Sequence, residues 1–371
     1  MADRNTRFFD SRWGVVLVGT VIGVVASLLH EAGNPPNMGV CVACFERDIA
    51  GALGLHRAVG VQYLRPEIIG FVLGALFAAL TFGEFKARAG SAPLVRFVLG
   101  ALAMIGALVF LGCPWRALLR LAGGDLNAVV GLAGLIAGVA MGVAFLRVGY
   151  TPGRSYPTYP FVGWIMPVLA VGLLLLLIFR PEFSLGGPIF FSERGPGSQH
   201  APVLISLSAA CLIGFMAQRT RFCTVGLIPN LLLMGDTRLL GGVGALAVAA
   251  FVTNLLLGNV DFGFAAQPVA HSHQLWNFLG MSLAGMAFSL AGGCPGRQLV
   301  LAGEGNGDAA VFVLGMVSGA AFAHNFALAG RPDRLVEGAV QVGGPTTAGM
   351  VAVVIGLVVC LIIGVTMRGR E

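Results

Sequence analysis

The amino-acid sequence predicts an all-α polytopic membrane protein with an inverted-topology internal repeat, about ten spanning helices and several short re-entrant or broken ones. Three observations carry that expectation. The chain is 57% hydrophobic and 11% charged over 371 residues, less than half the charged share of a soluble domain, about 25%. Its apolar runs repeatedly reach the length that crosses about 30 Å of hydrocarbon. One cysteine motif occurs twice, as GCPWR from Gly112 and GCPGR from Gly293.

Taken in order, the expected spans cover 14–30, 66–83, 94–111, 127–146, 161–179, 201–217, 239–258, 275–291, 308–328 and 346–367. Basic residues ahead of the first run resemble the start of a signal peptide. No small-residue cleavage site follows, however, and HEAGNPPN comes next, so the run reads as a transmembrane helix. Four Gly- and Pro-marked segments, 39–56, 113–122, 223–235 and 294–303, are too short to span and are expected to be re-entrant or broken helices. Glycine, at 55 residues, suits helices packed closely in lipid.

The net charge of +6 reads as loop arginines that hold a topology, so no nucleic-acid partner is expected; the bilayer is. With Arg4, Arg7 and Arg12 inside, the later inside loops hold Lys86, Arg88 and Arg96, then Arg147 and Arg154, then Arg219, Arg221 and Arg238, then Arg368 and Arg370. Both termini are therefore expected in the cytoplasm. Arg331 and Arg334 fall on the outer side as exceptions.

Setting Cys113 against Cys294 aligns the two GCP motifs, and nearly the same offset sets Cys41 against Cys223. Five spans lie between equivalent points, an odd number, so the second half should be inverted. The expected division is 1–150 as the first repeat, 151–200 as a linking span and outer loop, 201–330 as the second repeat, and 331–371 as a C-terminal outer loop and last span. Cys41 and Cys113 would then enter from outside, Cys223 and Cys294 from inside.

Pro114 and Pro295 suit the first position of a helix, where an N–H would go unpaired, so Cys113 and Cys294 should sit at helix N-termini, which favour anions and thiolates. Arg116 and Arg297 fall in the first turn, which disfavours a cation and calls for a carboxylate or a passing anion. A thiol is a soft, weak donor, so the expected ligand is a sulfur or selenium species.

Other residues carry weaker expectations. Cys211 and Cys360 read as core. Cys41 and Cys44 form a C-x-x-C that could be redox-active or half a metal site, but no second such motif exists, and no metal or cofactor is expected. Asn34, in GNPPN, abuts Cys41 and could line the path or only shape a turn. His271 and His273 read as solvated loop residues; His324 and Asn325 are polar groups in an expensive place. His30 and Glu31 mark the end of the first helix.

The stretches NPPNMGVCVACFERDIAG, RFCTVG, FGFAAQPVAHSHQLWNFLGM and GGCPGRQLVLAGEGNGDAAVFVLGM resemble the YeeE/YedE sulfur-transport family, most closely its YedE branch, described as selenium transporters. The resemblance spans nearly the whole chain. It implies an hourglass-like inverted repeat, thiosulfate passage in the YeeE members, and S–H···S contacts along the path. Carried over, the path cysteines are Cys113, Cys223 and Cys294, with Cys41 at the outer equivalent position; Cys44 and Arg221 are weaker candidates. The extended NPPNMGVCVAC segment departs from the thiosulfate branch. The resemblance also implies a bacterial inner membrane and a small cytosolic sulfur-carrier partner of the TusA type. The expected function is uptake of a small sulfur or selenium anion, not an enzymatic one; the alternatives are a thiosulfate transporter or channel, a passive anion channel, and a membrane thiol oxidoreductase or sulfurtransferase acting through Cys41 and Cys44.

Overall fold

The computed structural model describes residues 8, 9, 11–181 and 189–368. Of the charges used to orient the chain, Arg4, Arg7 and Arg370 lie outside these residues. The helices are α1 (Arg12–Glu31), α2 (Val42–Ala52), α3 (Pro66–Thr81), α4 (Pro93–Phe110), α5 (Pro114–Ala122), α6 (Asn127–Arg147), α7 (Pro160–Phe179), α8 (Val203–Thr220), α9 (Leu227–Pro229, running into a π-turn at Asn230–Met234), α10 (Arg238–Leu256), α11 (Gln274–Ala291), α12 (Pro295–Gly303), α13 (Gly307–Asn325) and α14 (Thr347–Thr366). Proline opens α3, α4, α5, α7 and α12, where its missing N–H costs nothing. Two short antiparallel strand pairs accompany the helices: β1 (Arg88–Ala89) pairs with β2 (Tyr156–Pro157) across three intervening helices, and β3 (Arg334–Val336) forms a hairpin with β4 (Ala339–Gln341).

Nine helices among the described residues are long and apolar enough to cross a membrane, so the chain is an all-α polytopic membrane protein. The expected tenth span, 66–83, forms α3, a 16-residue helix. At 1.5 Å per residue it reaches only about 24 Å, short of the roughly 30 Å core. The four segments too short to span become α2, α5, α9 and α12.

The halves pack reciprocally. Helix α1 lies on α10 as α8 lies on α3; α6 lies on α11 as α13 lies on α4; α5 meets α10 as α12 meets α3. Self-equivalent contacts, α4 with α11 and α1 with α8, occupy the middle. Close approach depends on small residues: a Cβ on Gly19 would strike the Gly242 carbonyl, and one on Gly74 the Cys211 carbonyl. The reciprocity breaks at the last helix of each half: α7 packs on α3, α12 and α13, whereas α14 packs on α11, α4 and α6.

Loops sort to two ends. One gathers 84–91, 147–157, 219–238 and 304–308, linked by β1–β2, by Lys86 N–H to Glu304 O and by Arg147 to Leu232 O. These are the loops whose arginines are expected to share one side. The other end gathers 33–62, 122–127, 190–200, 259–273 and 327–346; Arg57, Arg180 and Arg194 join Arg331 and Arg334 there.

Candidate functional site

Four cysteines form two pairs, one at each end's short helices. In the first station Cys41 is the N-cap of α2 and Cys113 the N-cap of α5. Cys41 points its S–H at the Cys113 sulfur, Sγ to Sγ 3.8 Å, while its own sulfur accepts the Cys44 N–H at 3.4 Å. Cys44 faces the Leu111 carbonyl at 3.9 Å. Leu111 holds a left-handed conformation, φ 63°, where α4 breaks before α5, an uncommon state for a bulky residue. The break turns its carbonyl toward Arg116 and Cys44.

Cys294 is the N-cap of α12 in the second station, and its sulfur accepts the Arg297 N–H at 3.4 Å. Cys223 precedes α9; its sulfur accepts backbone N–H groups from Gly226 at 3.2 Å and from Cys294 at 3.3 Å. Here the chain turns at Gly292, φ 87°, the equivalent of Leu111. A cavity of about 260 Å³ lies beside this station, lined among others by Gly226, Asn230, Gly293 and Arg96 but not by Cys223, Cys294 or Arg297. At about 30 Å³ per water it admits several waters or one small oxyanion.

The two arginines differ. Arg297 pairs with Glu304 at 3.3 Å, and Glu304 also pairs with Arg221 at 3.0 Å. Arg221 and Arg219 in turn clasp Glu84 at 3.0 and 2.8 Å, and Gln218 donates to it at 2.7 Å. Partial burial works against the ionised Glu84, but these hydrogen bonds and charges outweigh it and hold its carboxyl below the usual carboxylate range. Arg116 is fully buried and makes no ion pair among the described residues. Its partners are the carbonyls of Leu111, Pro268 and Val269 and, at 3.9 Å, the Cys44 sulfur; its Nε has none. The cause lies one helix length on. Glu304 is the C-cap of α12, and the same position after α5 is Gly123, where a Cβ would collide with the Asn37 side chain. The Asn37 side chain fills the place a carboxylate would take.

The candidates thus divide. Cys41, Cys44, Cys113, Pro114 and Arg116 come together, as do Cys223, Cys294, Pro295, Arg297 and Arg221. Asn34 is consumed structurally: it donates to Glu67 at 2.7 Å and Gly39 O at 3.1 Å and accepts from Ala201 N–H at 2.9 Å, fixing the turn that leads to Cys41. His324 and Asn325 are not brought to the thiols. They lie at the far end of α13, His324 against the His56 ring at 4.6 Å and Asn325 bonded to the Leu55 carbonyl.

The reading of His271 as solvated is corrected. It is fully buried, its Nε2–H donating to Val109 O at 2.8 Å, because the 259–273 loop folds back over the first station. Burial pushes this imidazole down to about 4, with the Val109 bond opposing the shift. His273 is half-buried. Sequence reasoning also missed the carbonyls of Pro268 and Val269 and the carboxylates of Glu84 and Glu304. The one available signal was glutamate after α12 against glycine after α5.

Residues 219–371 match a family model described as sulphur transport. The matched stretch holds Cys223, Cys294, Arg297 and Glu304. No curated protein matches the chain.

Proposed function

We propose that this chain is a transporter that takes up a small sulfur- or selenium-containing anion across the bacterial inner membrane. The match of residues 219–371 to a sulphur-transport family supports the sulfur assignment, and the helix architecture supports a multi-pass membrane protein. The observation that carries the reading is the first station. A buried cation without a carboxylate sits beside three thiols and the N-terminal ends of α2 and α5, where exposed N–H groups and the helix dipole favour negative charge. Leaving such a charge unpaired in a low-dielectric interior is costly, and an anionic ligand removes the cost.

The choice of thiols narrows the ligand. Hydroxyls would serve a hard oxyanion better; sulfhydryls are soft and weakly donating, which suits a polarizable chalcogen and permits release. The anion enters at the first station and leaves through the second, Cys223 and Cys294, handed over between oppositely oriented halves. The arginine-rich loop end faces the cytoplasm by the charge rule, which puts both termini there and sets the second station toward a sulfur-carrier partner of the TusA type. Cys41 points its S–H at Cys113 while Cys44 turns to a carbonyl, which supports the C-x-x-C as part of an anion site over the oxidoreductase alternative.

The test is uptake by purified protein in liposomes, with labelled thiosulfate and selenite competing, with and without a proton gradient. Uptake of at least one of them, inhibited by the other, is expected. Equal permeation of chloride or sulfate would point to an unselective channel.

A further inference from the structure

Trp115 lies between the two stations and has no counterpart in the repeat: the residue after the second Cys-Pro is Gly296. The glycine is needed, because a Cβ there would come within 2.9 Å of Trp115 Cζ2 and 3.1 Å of Cε2. An indole from the first turn of α5 therefore rests directly on the first turn of α12. Phe71 of α3 and Phe222, the neighbour of Cys223, hold it edge-on, with ring centroids 5.7 and 5.9 Å away. The ring is about 1% exposed, yet its Nε1–H has no hydrogen-bond partner. A buried indole N–H normally finds one, and leaving a donor unpaired in an apolar interior is expensive.

Resting on the transport reading above, we infer that Trp115 is the gate between the two thiol stations, closed onto Gly296 as its seat, and that its idle N–H is the donor offered to the anion during the crossing. The aromatic plate closes the short way from the N-terminus of α5 to that of α12. Rotation of one side chain away from a glycine opens that way without parting the helices. An N–H donor at the crossing replaces part of the hydration the anion has left behind. A tryptophan packed only for structure would be expected to pair its N–H.

Accessibility tests the gate without reference to the substrate. In membranes of known sidedness, a membrane-impermeant methanethiosulfonate reagent is added from the face nearer the first station, and labelling of Cys294 is read by mass spectrometry. Trp115→Ala is expected to raise that labelling by about tenfold or more over the unaltered protein, the mark of a barrier lowered by at least ~1.4 kcal/mol; an unchanged rate overturns the gate. Gly296→Ala attacks the same contact from the opposite helix and should raise labelling in the same direction, which keeps the test decisive if the alanine variant at 115 does not fold. Trp115→Phe keeps a ring and should leave labelling unchanged while uptake falls roughly tenfold, the worth of one hydrogen bond to a charged group. Full uptake in that variant would overturn the donor role. If the unaltered protein carries neither thiosulfate nor selenite, the transport reading falls by itself, and the labelling comparison still decides whether Trp115 separates the two stations.

Discussion

The two cysteine stations share a plan and differ in charge. Each places a thiol at the N-cap of a nine-residue helix that begins with proline and carries an arginine in its first turn. At the first station that arginine is buried with carbonyls for company; at the second, Glu304 neutralises it and ties it to an ion-pair network at the loop end. Capture benefits from an unanswered positive charge, whereas release benefits from a competing carboxylate that takes the arginine back. On the transport reading proposed above, glycine against glutamate after the short helix is the difference that would give the repeated fold its direction.

The sharpest way to break this comparison is to remove the thiols. Cys113→Ala and Cys294→Ala should each abolish uptake while the protein elutes as a folded species on gel filtration, because stations in series are both required. The arginines come next and should respond unequally. Arg116→Gln is expected to raise the KM for uptake roughly ten- to hundredfold, the range for losing a charge-assisted hydrogen bond, and Arg297→Gln less, since Glu304 already answers its charge. Equal losses would erase the proposed difference. Glu304→Gln should lower the KM and slow maximal uptake severalfold, because a freed Arg297 retains the anion. The smallest effect concerns pH. Glu84 has a folded-state value below the usual carboxylate range, so its contribution to stability is in place above that range and disappears as pH falls through the lowered value. Thermal melts of the protein and of Glu84→Gln should differ near neutrality and converge in acid.

Much of the architecture was legible because a bilayer imposes length and polarity on every segment it contains. The broken helices at Pro114 and Pro295 followed from proline's missing N–H, and the cysteine positions from the repeat. The length of α3 was not legible: hydropathy does not show that Arg65 and Phe82 flank a helix of only 16 residues. Nor was the 259–273 loop, since a polar, proline-containing stretch looks solvated whether it faces water or folds inward to give Pro268 and Val269 carbonyls to Arg116. The destinations of His324 and Asn325 depended on which helix end meets Leu55 and His56, a tertiary fact. Trp115 stood in plain view as the odd member of GCPWR against GCPGR, but only the packing of its ring on Gly296 gave that oddity a meaning.

The claim at the centre is that the first station holds the anion because its arginine lacks a carboxylate. Crystals grown with selenite and measured at the selenium absorption edge would test this most directly. The account predicts an anomalous peak in contact with Cys113 and Arg116, stronger than any beside Cys294. A peak remote from both cysteine pairs, with the first station empty, would contradict it.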